Sequence, residues 1–161
     1  MPKITWLALG YNVPVNPSKN RVYIWRKLKE FGAGYFKQGV AILPKSSQSM
    51  AKFRQLSAKI RDMGGDATIV ELKFCDARDE AETIERFRSQ SRSEYDELLL
   101  DCGRIVESIQ KNLFSAGGRD DYKKVMRRYK QALERDYFVS GAGGKLKTAL
   151  DELAEDIGEL F

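Results

Sequence analysis

The side chains that most often carry catalysis are scarce in this sequence. It contains no histidine, which excludes Ser-His-Asp and Cys-His arrangements, an imidazole general base and histidine metal ligands. Cys75 and Cys102 stand far apart without a CxxC spacing, so we expect buried structural thiols and no zinc or dithiol site. One cluster of acids would occupy the first turns of a helix, where negative charge is favourable without any catalytic role. Its members are Asp79, Glu80, Glu82 and Glu85. We therefore predict a protein that is not an enzyme and that needs no metal or cofactor.

Basic side chains offer a different chemistry, the binding of a polyanion. Residues 1–61 contain twelve lysines and arginines and one acid, a formal charge of +11, whereas residues 62–161 carry −6. Helices with exposed lysines and arginines can hold phosphate backbones, and DNA is the partner that this asymmetry suggests. The alternative is a solvated surface on which long basic side chains cover apolar neighbours. The candidate nucleic-acid-binding residues are Arg21, Arg26, Lys27, Lys52, Arg54, Lys59 and Arg61.

These residues must be positioned by strands and helices that alternate in the first half of the chain. Apolar runs predict strands at residues 4–11, 40–43 and 67–74, and apolar stripes with a helical period predict helices at 18–31 and 47–63. Residues 34–39 with 40–44 are expected to form either a hairpin or a bent strand that ends at Pro44. This order is that of the ferredoxin-like βαββαβ plan, in which two helices cover one face of an antiparallel sheet.

Several local features of the two helices can be predicted as well. Ser18 is the expected N-cap of the first helix, and Gly32 the residue that ends it. Ser46 or Ser47 is expected to begin the second helix. Trp25 lies one position from the apolar stripe of the first helix, so its ring is expected to flank the core.

The second half of the chain is predicted to be helical. Helices are expected from Asp79 to about Asn112, after a cap at Asp120 or Asp121, and from Lys145 to Leu160. Glycine-rich segments at 115–118 and 140–144 are interpreted as linkers between them. We therefore predict an α+β protein with a ferredoxin-like domain at residues 1–76 and a helical extension at 77–161.

The start of the chain bears on where the protein works. Its first apolar stretch, from Ile4 to Leu9, is too short for a secretory signal or a membrane span. Two cysteines could form at most one disulfide, which is too few to stabilise a chain of 161 residues. We expect a cytoplasmic protein with no membrane partner.

Three stretches of the first half contain recognisable elements. They are a Trp followed by Pro in Trp6 to Pro14, the pattern R-V-x-x-W-R-x-L in Asn20 to Leu28 and a Leu-Pro pair in Val40 to Pro44. At these spacings the stretches resemble the N-terminal domain of the ChrB family of chromate-resistance regulators. The likeness continues over Gly64 to Glu71 and fades after Phe74. It implies a ferredoxin-like fold and a role in chromate resistance and transcriptional control. The same pattern is more weakly similar to the middle domain of the PaaX repressor and to the small CRISPR-associated nuclease of spacer acquisition, which imply the same fold.

Two departures from these families shape the functional prediction. The CRISPR-associated nucleases use an aspartate at the end of the first strand, where this chain has Asn12, and an amide is a poorer metal ligand than a carboxylate. ChrB proteins usually carry a C-terminal chromate-resistance domain, for which we expect no room here. We predict a ChrB-N-like protein that binds nucleic acid through its basic half. The alternatives are a metal-dependent, nuclease-like enzyme on the same fold and a structural module that forms a homodimer through its C-terminal helices.

Overall fold

The computed structural model describes residues 4–139 and 141–160 and divides into two compact units, residues 1–84 and 85–161. The elements are β1 (Trp6–Asn12), α1 (Ser18–Phe31), β2 (Gly34–Lys37), β3 (Val40–Pro44), α2 (Ser47–Asp62), β4 (Asp66–Leu72), α3 (Ala77–Gln110), α4 (Ala116–Arg135) and α5 (Gly143–Leu160). The strands all lie in the first unit, and α3 runs from the first unit into the second.

The strands form one antiparallel sheet in the order β2-β3-β1-β4. In the central strand β1, Leu7 pairs with Leu43 of β3 and with Glu71 of β4. The strand order and the two connecting helices are those of the ferredoxin-like fold, which confirms the predicted α+β class. β2 and β3 form a hairpin with a register shift between Tyr35 and Lys37, which decides between the two alternatives that the sequence left open.

Helices α1 and α2 lie side by side against the sheet. α1 buries Ile24 and Leu28 on its predicted stripe, and it ends at Gly32 as expected, with a φ of 70°. The prediction that Ser18 caps this helix is wrong, because Ser18 is its first helical residue and the N-cap is Pro17, which has no side-chain acceptor. Ser46 does cap α2, since its side chain accepts a hydrogen bond from the Ser49 N–H at 3.0 Å.

Trp25 does not flank the core as the sequence suggested. Its side chain is 52% exposed, although Ile24 and Leu28 on the same helix are buried. The ε-ammonium of Lys29, one turn further along α1, lies 5.1 Å from the centroid of the indole ring. A position beside an apolar stripe can point toward the core or toward solvent, and here about half of the side chain is exposed to solvent.

A buried carboxylate holds the start of β1. The Oε1 atom of Glu80 accepts hydrogen bonds from the Ile4 N–H at 3.0 Å and from the Trp6 Nε1–H at 3.3 Å. Trp6 is fully buried and packs edge-on against Phe74, with 5.8 Å between the ring centroids. Placing Glu80 with the acids that favour a helix N-terminus therefore missed its main contacts.

The second unit is a bundle of the later part of α3 with α4 and α5. Its core contains Tyr95, Leu98, Cys102, Ile105, Val125, Ala132, Leu146, Leu150 and Leu153. The hydroxyl of Tyr95 donates to Asp136 Oδ2 at 3.0 Å, which ties α3 to the end of α4. Cys102 is buried as predicted, and burial raises the pKa of its thiol. The same prediction was wrong for Cys75, which is exposed.

The boundaries of the later helices differ from the prediction. α4 begins at Ala116, so Asp120 and Asp121 lie inside the helix and do not cap it, and residues 116–118 are its first turn instead of a linker. α5 begins at Gly143, within the second predicted linker. Ser140 of that linker lies outside the described residues. Among the helices described, none is both long and apolar enough to span a bilayer.

Candidate nucleic-acid interface

A groove of about 440 Å³ separates the exposed sides of α1 and α2. Tyr23 and Lys27, one turn apart, line it from α1, and Leu56 and Lys59 line it from α2. Phe31 contributes the aromatic ring at the end of α1. The groove therefore combines aromatic walls with cationic side chains at the surface of the helical layer.

Two of the predicted nucleic-acid-binding residues, Lys27 and Lys59, line this groove, and a third, Lys52, lies beside its Phe31 ring. The ammonium groups of Lys27 and Lys59 each lie 5.8 Å from the centroid of the Tyr23 ring, one from each helix. Lys52 of α2 places its ammonium 5.7 Å from the centroid of the Phe31 ring. Attraction to the ring faces holds these flexible side chains near the groove while their charges stay accessible to solvent. We call Lys27, Lys52 and Lys59 with Tyr23 and Phe31 the lysine groove.

One acid pairs with the lysine groove at its rim. Lys27 Nζ lies 3.2 Å from Glu30 Oε2, and both side chains are more than one-third exposed. An exposed pair of this kind contributes about 1 kcal/mol or less, so a phosphate can replace Glu30 as the partner of Lys27. Asp62 also lines the groove, and it lies at the last turn of α2.

The other predicted residues are placed elsewhere in the first unit. Arg26 and Arg54 are exposed, and neither forms an ion pair with any residue that the structure describes. Arg61 donates from Nη2 to the Ala67 carbonyl oxygen at 3.0 Å, which ties the end of α2 to the start of β4. Arg21 lies on the flank of α1 that faces the β2–β3 hairpin.

That flank of α1 borders a second and larger cleft, which the sequence analysis missed. It has a volume of about 650 Å³ and is lined by Tyr11, Asn12, Val13, Ser18, Arg21, Val22, Ile24, Trp25, Tyr35, Gln38 and Gly39. The hydroxyls of Tyr11 and Tyr35 lie 3.3 Å apart. Burial, followed by the hydrogen bond with Tyr35, raises the pKa of Tyr11 above its ordinary value. Strand order brings the two tyrosines together, and no local pattern in the sequence signals it.

The end of β1 does not supply the donor set of a metal-dependent nuclease. Asn12 is exposed there and pairs in register with Asp66 of β4. In residues 4–139 and 141–160, no three acidic or cysteine side chains gather closely enough to hold a metal ion. Asn12 thus offers an amide at the position where the nuclease alternative requires a carboxylate.

A cluster of basic residues at 123–130 of α4 is partly neutralised by acids within the second unit. Arg128 donates to Asp101 Oδ2 at 2.7 Å and lies 3.7 Å from Glu97 Oε2, both on α3. Lys123 and Lys130 in the same cluster are exposed. Lys123 and Lys130 therefore provide exposed positive charges that lie outside the lysine groove.

The chain is a ferredoxin-like α+β protein. It has an antiparallel sheet in the order β2-β3-β1-β4, a layer of two helices that carries the lysine groove, and a helical bundle that follows in the sequence. Residues 21–159 match the model of the family described as "Protein ChrB, N-terminal", so the chain belongs to that family. The match runs through α4 and most of α5, well beyond the point at which the resemblance fades in the sequence analysis.

A curated relative agrees with this assignment. "Protein ChrB" from Cupriavidus metallidurans is 23% identical over 148 residues, which cover 89% of this chain and 44% of the relative. The chain thus spans less than half the length of that relative. No solved structure matches the chain.

Proposed function

We propose that this chain is the nucleic-acid-binding module of a ChrB-type regulator of chromate resistance, and that it holds duplex DNA through the lysine groove. The observation that carries the proposal is the convergence of Lys27, Lys52 and Lys59, from two helices, on the rings of Tyr23 and Phe31. Family membership supports the regulatory context, and the charge of +11 on residues 1–61 supports a polyanionic partner.

The contacts favour the DNA backbone over the bases. A lysine is a compact point charge that pairs with a phosphate and releases its counterions, which gives affinity without reading sequence. Base recognition in the major groove would need forked or amide side chains held against base edges. We therefore expect strong salt dependence and slight sequence preference. Exposed Arg26 and Arg54 extend the positive surface on either helix.

Charge reversal in the lysine groove distinguishes binding at the groove from a general effect of net charge. Fluorescence anisotropy with a labelled duplex of random sequence compares the wild type with K27E/K59E at low salt. The matched control is K123E/K130E, which changes the net charge equally on α4. We expect K27E/K59E to bind at least about tenfold more weakly, a loss of about 1.4 kcal/mol, and the control to stay within about threefold of the wild type.

Either of two results would reject the lysine groove as the binding surface. One is a wild-type protein that does not bind the duplex even at low salt. The other is an equal loss in K27E/K59E and K123E/K130E, which would reduce the effect to overall charge. Circular dichroism of each variant separates loss of binding from loss of folding.

The proposal includes a non-catalytic, cytoplasmic protein that acts as a homodimer. A dimer would present two lysine grooves to one duplex, and linked sites bind more tightly than single ones when both can engage. Sedimentation velocity is expected to give a species of twice 18.4 kDa. A species of 18.4 kDa at all protein concentrations would reject the homodimer, and each molecule would then offer one lysine groove.

A further inference from the structure

The cleft between α1 and the β2–β3 hairpin has the composition of a small-molecule site. Its volume of about 650 Å³ lies within the range of clefts that hold compact organic ligands. Val13 and Val22 supply apolar surface, and the half-exposed indole of Trp25 supplies a flat ring at the edge. Trp25 and Arg21 lie one turn apart on α1, so an aromatic face and a cation border the same space.

Every polar side chain that lines the cleft can donate a hydrogen bond, and one of them, Arg21, is a cation. In the Tyr11–Tyr35 pair one hydroxyl donates to the other, which leaves the accepting hydroxyl with its own proton to offer to a ligand. Arg21 adds a guanidinium, and Gln38 and Ser18 add an amide and a hydroxyl. No acidic side chain among the described residues lines the cleft. A ligand that is rich in acceptors and negatively charged matches this set.

We propose that this cleft binds a small planar anion, an aromatic ring that carries one carboxylate or phosphate group. The ring lies against Trp25, and the anionic group lies between the Arg21 guanidinium and the hydroxyls of Tyr11 and Tyr35. A free aromatic carboxylate and a free mononucleotide share this chemistry. The site is separate from the lysine groove, because Arg21 and Trp25 occupy the opposite flank of α1 from Tyr23 and Lys27. The inference does not depend on DNA binding.

The two tryptophans make the cleft observable in the intact protein. Trp6 is fully buried, whereas Trp25 borders the cleft, so a ligand there changes the fluorescence of Trp25. The probes are benzoate and adenosine monophosphate, with benzamide and adenosine as their uncharged counterparts and inorganic phosphate as an anion without a ring. We expect a saturable change with at least one of the two charged aromatic probes, and affinities at least about tenfold lower for its uncharged counterpart and for phosphate. Benzoate alone would identify a carboxylate ligand, and adenosine monophosphate alone a nucleotide.

Matched variants assign the binding to the proposed residues. R21Q should weaken binding of the active probe about tenfold, whereas R26Q removes the same charge from the outward side of α1 and should stay within about twofold. Y35F should weaken it by a smaller factor, because it removes one hydroxyl and keeps the ring. Calorimetry measures the affinity of W25F, which lacks the fluorescent reporter and should also bind more weakly. The absence of saturable binding by both charged probes, or equal effects of R21Q and R26Q, would overturn the proposal.

Discussion

The carboxylate of Glu80 satisfies two donors at the buried start of the sheet. One is the backbone N–H of Ile4 and the other is the indole N–H of Trp6, and Glu80 itself is only 6% exposed. Truncation to E80A leaves both donors without this acceptor, and we expect a loss of about 2–3 kcal/mol of unfolding free energy. E80Q keeps an acceptor oxygen and should lose clearly less.

Urea denaturation followed by circular dichroism measures this difference. E82A is the control, because Glu82 is exposed and its ion pair with Arg78 spans one helical turn at the surface, so its loss should stay within about 0.5 kcal/mol. Equal stabilities of E80A and E82A would show that the Glu80 hydrogen bonds do not hold β1.

The stability effects of truncating Trp25 and Trp6 should differ, because one ring is exposed and the other lies in the core. Because the indole of Trp25 is exposed and its close contact is the cation of Lys29, W25A should change the unfolding free energy by about 1 kcal/mol or less. W6A empties a fully buried site and should cost about 3–5 kcal/mol. Thermal melts of both variants by circular dichroism check the ranking, and similar melting temperatures would contradict it.

At the scale of elements, the connection from α2 to β4 is tightly packed against the end of β1. A Cβ atom on Gly65 would lie 2.3 Å from the Asn12 carbonyl oxygen, so the backbone would have to move to accept it. We expect G65A to destabilise the first unit by about 2 kcal/mol or more. Gly103 of α3 is the control: a Cβ there meets nothing within 4 Å, and G103A should stabilise the helix by about 0.5–1 kcal/mol. Urea titrations measure the change in unfolding free energy of each variant. Equal losses of stability in G65A and G103A would contradict the explanation from close packing at Gly65.

Helix α1 shows which features of an element a sequence can and cannot predict. Its buried Ile24 and Leu28 and its end at Gly32 follow from local spacing and were predicted correctly, whereas the cap expected at Ser18 was wrong. Its two flanks depend on neighbours: α2 meets the side of Tyr23 and Lys27, and the hairpin meets the side of Arg21 and Trp25. The exposure of Trp25 and the larger cleft therefore could not be predicted from the helix alone.

The same limit applies to the helical extension. Glycines at the start of α4 suggest a linker, yet they lie inside the helix, and a Cβ on Gly118 would lie 2.5 Å from the Phe114 ring and would displace it. The order of elements in residues 4–74 was predictable because apolar periodicity and the intervening proline and glycine residues are local signals. Of the charged residues, the candidates chosen from the sequence include the three lysines of the lysine groove, but the sequence could not show that Arg61 is bound to the Ala67 carbonyl oxygen.

At the scale of the whole molecule, the uneven charge makes a quantitative prediction for the proposed DNA binding. Three to five phosphate contacts, from the lysine groove with Arg26 and Arg54, give a slope of about −3 to −5 for the logarithm of the binding constant against the logarithm of the salt concentration. K27Q/K59Q removes two of these contacts and should make the slope less steep by about 2. K123Q/K130Q lowers the net charge equally on α4 and should leave the slope unchanged. Anisotropy titrations at four salt concentrations measure the slopes, and a slope in K27Q/K59Q equal to that of the wild type would place the phosphate contacts outside the lysine groove.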